Sequence, residues 1–280
     1  FLLVLIGGWG SLSAQSAGSN YARQVNTLIG TKGVGLTSGY LYPGATYPYG
    51  MVQFTPSYFS KRSGFVINQL SGGGCEHMGN FPTFPVKGKL KMSPDNILNY
   101  RINISEEKGH AGYYEAMVQE DIKAKLTVTE RTGMASYEYP TDQQYGTVII
   151  GGGISATPIE QAAIVITAPN KCEGYAEGGN FCGLRTPYKV YFVAEFDTDA
   201  LESGTWKRNE LKPNTTFAEG EYSGVYFTFD VNKKKNIQYK IGVSYVSVEN
   251  ARENLKAENT GWDFLQIQNQ AESKWNHYLG

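Results

Sequence analysis

A chain of 280 residues is long enough for one large β domain or two ordinary ones. Its net charge of −1 gives no electrostatic pull toward nucleic acid or an anionic membrane, and no run of Lys and Arg is interleaved with aromatics. With 33 glycines, 20 tyrosines and only 18% charged residues, the composition suits a turn-rich, all-β extracytoplasmic protein better than a helical cytosolic one.

In chain order, the first element is an apolar run, Phe1-Leu2-Leu3-Val4-Leu5-Ile6, followed by small residues through Ser16. It has the character of the h-region and cleavage zone of a secretory signal peptide and is too short to span a bilayer. Residues 1–16 are therefore expected to be part of such a peptide, with a buried first strand as the alternative. A Pro/Gly-punctuated aromatic segment follows at Tyr42-Pro43-Gly44-Ala45-Thr46-Tyr47-Pro48-Tyr49-Gly50-Met51-Val52-Gln53, and a second segment at Ser71-Gly72-Gly73-Gly74-Cys75-Glu76-His77-Met78-Gly79-Asn80. Pro presets φ and Gly admits positive φ, so both segments predict a fixed, non-repetitive backbone. Tyr42, Tyr47 and Tyr49 on such a loop are expected to offer rigid apolar faces with hydroxyl tips, which suit a sugar ring. The plainer alternative is a packed turn with buried tyrosines.

The chain carries three cysteines, Cys75, Cys172 and Cys182. Cys172 and Cys182 flank what reads as a Gly-rich loop that a disulfide would staple, leaving Cys75 as the odd one. Cys75, Glu76 and His77 match no standard zinc spacing, and neighbours on an extended chain point to opposite sides.

Alternating patterns predict strands at 122–129 and 225–231 and again from Ile237 to Tyr245, with a more fully buried strand at 188–196. Shorter strands are expected at Leu98–Ile104, Tyr113–Val118, Met134–Tyr139, Val148–Ile150 and Ile164–Ile166. The segment Asn232-Lys233-Lys234-Lys235-Asn236 reads as a polar hairpin connection. From about residue 249 the pattern changes. Glu249–Ala257 is helix-prone, and Phe264, Ile267, Ala271, Trp275 and Tyr278 recur at helical spacing. Trp262 and Trp275 are expected to pack these helices, and His110, beside Gly109, to sit exposed in a turn. Asn103-Ile104-Ser105 and Asn214-Thr215-Thr216 match the glycosylation sequon. The fold expected is a large antiparallel β-sandwich over 21–248, with a short C-terminal helical segment over 249–280.

Several blocks resemble glycoside hydrolase family 92, the calcium-dependent exo-α-mannosidases. They are Val25-Asn26-Thr27-Leu28-Ile29-Gly30-Thr31, Pro43-Gly44-Ala45-Thr46 with Pro48-Tyr49-Gly50-Met51-Val52-Gln53, and Leu70-Ser71-Gly72-Gly73-Gly74-Cys75 with Gly79. Gly112-Tyr113-Tyr114, the 122–127 and 191–196 strands, Ser247-Val248-Glu249-Asn250-Ala251, Trp262-Asp263-Phe264 and Trp275-Asn276 keep the family's order.

The resemblance implies an all-β supersandwich of the galactose-mutarotase kind followed by an (α/α)₆ helical domain, with an active site between them. It implies inverting hydrolysis of terminal α-mannosides, a Glu general acid and an Asp general base that hold water between them, and calcium bound by the helical half. Residues 249–280 would then be linker helices at the start of a truncated helical domain. No catalytic residue and no metal ligand is expected in this chain, and Glu76 and Glu195 are not assigned that role. By position, Tyr42 and Gly44 would line the terminal-mannose subsite, with Cys75 and Glu76 near it, and Glu76 and His77 would also touch the neighbouring sugar and shape linkage preference. His77 and Asn80 stand where many members have Asp, which bears on linkage preference. The implied partners are mannose-containing glycans and the chain's own helical domain. The implied location is secreted or periplasmic, without nucleic acid or a membrane span. A stand-alone carbohydrate-binding module and a purely structural support domain are the competing readings.

Overall fold

The computed structural model describes residues 20–31, 41–57, 64–75, 77–95 and 103–280. The apolar segment 1–16 and Glu76 lie outside the described residues. A 3-10 turn at Tyr21–Gln24 precedes β1 (Ala45–Thr46), β2 (Gln53–Pro56), β3 (Phe65–Val66), β4 (Thr83–Lys87), β5 (Ile104–His110), β6 (Tyr113–Val118), β7 (Ile122–Val128), β8 (Thr132–Glu138) and β9 (Tyr145–Gly151). There follow β10 (Ile159–Ala168), β11 (Lys171–Phe181), β12 (Leu184–Phe196), β13 (Glu202–Lys207), β14 (Glu210–Pro213), β15 (Phe217–Glu219), β16 (Ser223–Asp230) and β17 (Asn236–Ser244). Two helices close the chain, α1 (Val248–Glu258) and α2 (Phe264–Leu279).

Two antiparallel sheets form the sandwich. One runs β1-β2-β3-β4-β9-β16-β13-β14 and the other β15-β10-β11-β12-β17-β8-β7-β6-β5. Alternation explains the core: along β6 and β7, Tyr114, Ala116, Val118, Ile122, Ala124 and Leu126 turn inward. Aromatic pairs join the two sheets, with Phe196 on β12 lying 5.0 Å from Phe227 on β16 and Phe65 on β3 stacked 6.2 Å from Tyr137 on β8. Burial removes apolar surface from water, the main favourable term in such a fold.

The helices seat where small residues let them approach. Gly242 on β17 lies against α1, where an added Cβ would stand 2.5 Å from the Ala251 carbonyl oxygen. Val193, Ala251 and Leu255 close that contact. Ser247 caps α1 by accepting from the Asn250 N–H at 3.0 Å, and Asp263 caps α2 by accepting from Gln266 at 3.0 Å. Glu258 at the end of α1 accepts from the Thr129 hydroxyl at 2.6 Å and the Arg131 N–H at 2.8 Å, and pairs with the Arg131 guanidinium. Helix α2 packs Ala271 on Gly112, donates from Trp275 Nε1 to the Thr46 carbonyl at 2.7 Å, and accepts from the Ala22 N–H at 2.8 Å through Asn276 Oδ1.

Several expectations need correction. The segment between Cys172 and Cys182 is not a loop but the strand β11, paired on both sides by β10 and β12. Its glycines are there for close approach: a Cβ on Gly174 would collide with the Ala163 carbonyl of β10. Cys172 therefore points into the core as a free thiol, and the disulfide joins Cys75 to Cys182. Cys172 and Cys182 stand ten residues apart on one extended chain, about 30 Å at the usual strand rise, so they cannot meet. His110 is not exposed in a turn; it ends β5, largely covered, stacked 5.0 Å from Tyr113 with Nε2 3.6 Å from the buried Glu272. Strand β16 also buries Tyr226 and Thr228 on its other face, because β9 and β13 flank it. Of the strand expected at Leu98–Ile104, residues 98–102 lie outside the described residues, and β5 begins at Ile104.

Candidate functional site

The two Pro/Gly segments are built into one surface. Gln53, at the start of β2, donates from Nε2 to the Tyr42 carbonyl at 3.3 Å and to Ser71 Oγ at 2.7 Å. Ser71 Oγ in turn accepts from the Tyr42 N–H at 3.2 Å. The Thr27 hydroxyl fixes the same corner by donating to the Pro43 carbonyl at 2.9 Å. Three segments far apart in sequence thus meet at Tyr42-Pro43.

Tyr42 itself is only 5% exposed, so it serves this corner through its backbone rather than as an open aromatic face. Gly44 is also packed: its N–H donates to Thr55 Oγ1 at 3.0 Å, and a Cβ there would collide with the Phe54 carbonyl oxygen and the Thr55 side chain. Tyr47 is half-buried. Tyr49 is the exposed tyrosine of the loop at 87%, held at a φ of 59° and edge-on to Tyr278 of α2 at 5.3 Å.

The second segment folds back beneath itself. His77 is 1% exposed; its ring lies 4.7 Å from Phe181 and close under Gly73, where a Cβ would stand 2.5 Å from Cε1. His77 Nδ1 is 2.7 Å from the Cys75 carbonyl. In a neutral ring that contact makes Nδ1 the donor and Nε2 an acceptor. Gln69 Nε2 donates to the His77 carbonyl at 3.4 Å. Asn80 exchanges bonds with Asn68: its N–H donates to Asn68 Oδ1 at 2.7 Å and its Oδ1 accepts from Asn68 Nδ2 at 3.0 Å. Asn80 Oδ1 also accepts from the Tyr188 hydroxyl at 2.7 Å. Burial pushes the Tyr188 and Tyr245 phenols up, so both remain neutral donors near neutral pH.

Three buried polar atoms in this layer have no protein partner: Gln69 Oε1, His77 Nε2 and Asn80 Nδ2. They comprise two acceptors and one donor. Buried groups of this kind are ordinarily satisfied by protein or ordered water. The sequence flagged His77 and Asn80 but not Gln69, Asn68 or Tyr188, which isolated polar residues in strand-like segments do not announce.

Among the described residues no three acidic, histidine or cysteine side chains come together as a metal site. Cys75 is held in a disulfide and is not a thiolate ligand, and the His77 ring is tied to a backbone carbonyl. The residues present do not fit a calcium site. Glu195 pairs with Lys171 at 3.0 Å on the opposite sheet, away from these loops.

Residues 24–244 match the sequence model of the glycosyl hydrolase family 92 N-terminal domain. The chain belongs to glycoside hydrolase family 92. It is 26% identical to an uncharacterized secreted glycosidase of Arthroderma benhamiae, covering 92% of this chain and 38% of that protein. Its fold is similar to that of a family 92 alpha-mannosidase from Bacteroides thetaiotaomicron, with a TM-score of 0.79 at 24% identity over 92% of this chain and 38% of the other. It is also similar to a family 92 inverting mannosidase of the same organism, with a TM-score of 0.75 at 24% identity over 91% and 35%. The chain thus spans well under half the length of these relatives. No helix among the described residues is long and apolar enough to cross a membrane.

Proposed function

We propose that this chain is the substrate-loop domain of an inverting α-mannosidase that removes terminal α-mannose from glycans. The single observation that carries the reading is the convergence of the 42–53 and 69–80 segments at the Gln53–Ser71 contact, within a family 92 N-terminal domain. The three unpartnered polar atoms beneath the glycine loop add to it, since a sugar site needs fixed donors and acceptors or the waters they hold.

In this reading Tyr42 and Gly44 set the backbone of the first loop, while Cys75, Glu76 and His77 shape the second beside the terminal mannose. Neither loop moves a proton. The general acid, the general base and the residues that would hold calcium would come from the helical half, where calcium would help bind and distort the sugar ring. The role of this domain is positioning, which lowers the entropic cost of reaching the transition state. A secretory or periplasmic location fits the apolar segment at 1–16 and a disulfide of the kind that persists outside the cytosol. Mannose-containing glycans and the helical half are the partners. One observation favours a second reading as a stand-alone sugar-binding module: the exposure of Tyr49, whose ring offers a sugar-stacking face.

The test is proton NMR of an aryl α-mannoside incubated with this chain and, separately, with the protein carried through its helical half. The extended protein is expected to release β-mannose first, and the chain alone to release none. Turnover by the chain alone, or no hydrolysis by the extended protein, overturns the proposal.

A further inference from the structure

The tip of the β11–β12 hairpin reaches the glycine loop from a distant part of the chain. Cys182, at the tip, is bonded to Cys75 across a sequence separation of 107 residues. Next to it, Phe181 meets the His77 ring. The hairpin is a fixed post: Asn180 Oδ1 accepts from the Gly183 N–H at 2.9 Å, and Arg185 forks onto Glu160 of β10 at 3.0 and 2.9 Å. Apart from Ser71, held by Gln53 and Tyr42, and Gly73, which lies over the His77 ring, the glycines of the loop make few packing contacts. Gly72 and Gly74 both have positive φ, a Cβ on Gly74 would meet nothing within 4 Å, and one on Gly72 would touch only Leu41 at 3.9 Å. Three successive glycines lose the most conformational entropy on ordering, so an unstrapped loop would spend much of its time displaced.

We infer that the Cys75–Cys182 disulfide is a redox-operated strap that keeps the 71–77 loop ordered, with Cys182 and Phe181 acting as positioning residues. Cys182 is exposed and Cys75 partly so, which opens the bond to a thiol reductant. Two electrons and two protons from a dithiol break the S–S bond, leaving two cysteine thiols and the dithiol as its own disulfide. Cys172 does not intervene: it is buried in the core, and burial pushes its thiol far up, away from the reactive thiolate. That strapping also tunes sugar binding rests on the functional reading above.

The test is hydrogen exchange by mass spectrometry on this chain, oxidised and after dithiothreitol, with reduction verified by the mass gain. Exchange at loop amides 71–79 is expected to rise about tenfold or more on reduction, while β9, β16 and β17 keep their protection. The Cys75→Ser/Cys182→Ser double variant should match the reduced protein and ignore dithiothreitol, whereas Cys172→Ala should respond as the parent does. Unchanged loop exchange after verified reduction overturns the strap, as does loss of protection through both sheets, which would make the bond a global staple. Methyl α-mannoside titrated into both forms separates the two claims. A loosened loop with no sugar binding in either form, and an inactive extended protein, sinks the functional reading and leaves the strap.

Discussion

Asn80 gives a direct measure of how far the polar layer under the loop supports the fold. Replacing it with Ala removes the Oδ1 that accepts from Tyr188 at 2.7 Å and from Asn68 at 3.0 Å. The Tyr188 hydroxyl would lose its acceptor and Asn68 Nδ2 would keep only its 3.5 Å contact with the Tyr245 hydroxyl, and an orphaned donor costs about 1–3 kcal/mol. Against this, the unpartnered Asn80 Nδ2 disappears too, which returns part of that amount. The net loss is about 1–3 kcal/mol, which for a domain of this size lowers Tm by about 2–6 °C. Tyr188→Phe removes one of the two donors and leaves Asn80 Oδ1 with its Asn68 bond, so it should cost clearly less than Asn80→Ala. Thermal melts followed by far-ultraviolet circular dichroism read both variants. Equal losses in the two, or an Asn80→Ala within about 0.5 kcal/mol of the parent, would show that these bonds do not carry the layer.

Two further predictions test the scaffold. Gly44→Ala places a methyl group onto the Phe54 carbonyl and Thr55, so urea unfolding should show a loss of about 3 kcal/mol or more; a neutral change would mean the corner is looser than described. Burial pushes the Glu272 carboxyl up, but hydrogen bonds from Arg23, Gln268 and Asn20 together with His110 outweigh it and hold the group below the usual carboxylate range. Its folded value is depressed, so its contribution is present above the unfolded value near 4.5 and is lost as pH falls through the lower folded value. Denaturant titrations below pH 4.5 should therefore show stability falling less steeply in Glu272→Gln than in the parent, and parallel slopes would refute the assignment.

Strands β6 and β7 and the start of β17 were readable because one face meets the core and the other meets water, so a period of two is written in the residues, whereas β8 is buried on both faces. The same logic failed on β11. That strand is packed between two others so closely that glycine replaces larger side chains on it, and a run of glycine looks like a loop from composition alone. The cysteine pairing was lost with it, since a strand carries Cys172 and Cys182 to places a loop would have brought together. Strands β1 to β4 are short and broken by Pro and Gly, and β4 joins the sheet by pairing with β9, Thr83 opposite Ile150, a distant contact that no local pattern encodes. In the site, the sequence located the right two segments but not their inner faces. Tyr42 and His77 look exposed in a Gly-rich context and are buried because the loops fold back over them.

The order of strands has a consequence for how the chain reaches this state. In the eight-stranded sheet, β4 and β16 flank β9, so its centre joins residues 83–87, 145–151 and 223–230. In the other sheet, β17 sits between β12 and β8. Neither sheet can close its middle until nearly the whole sandwich has been synthesised. Local hairpins such as β6–β7 and β11–β12 are available early, but the long-range closures that unite them are entropically costly and come late. Such a chain is expected to fold slowly, through partly paired intermediates that wait for its last two strands, and until then its β-rich segments stay exposed to wrong partners.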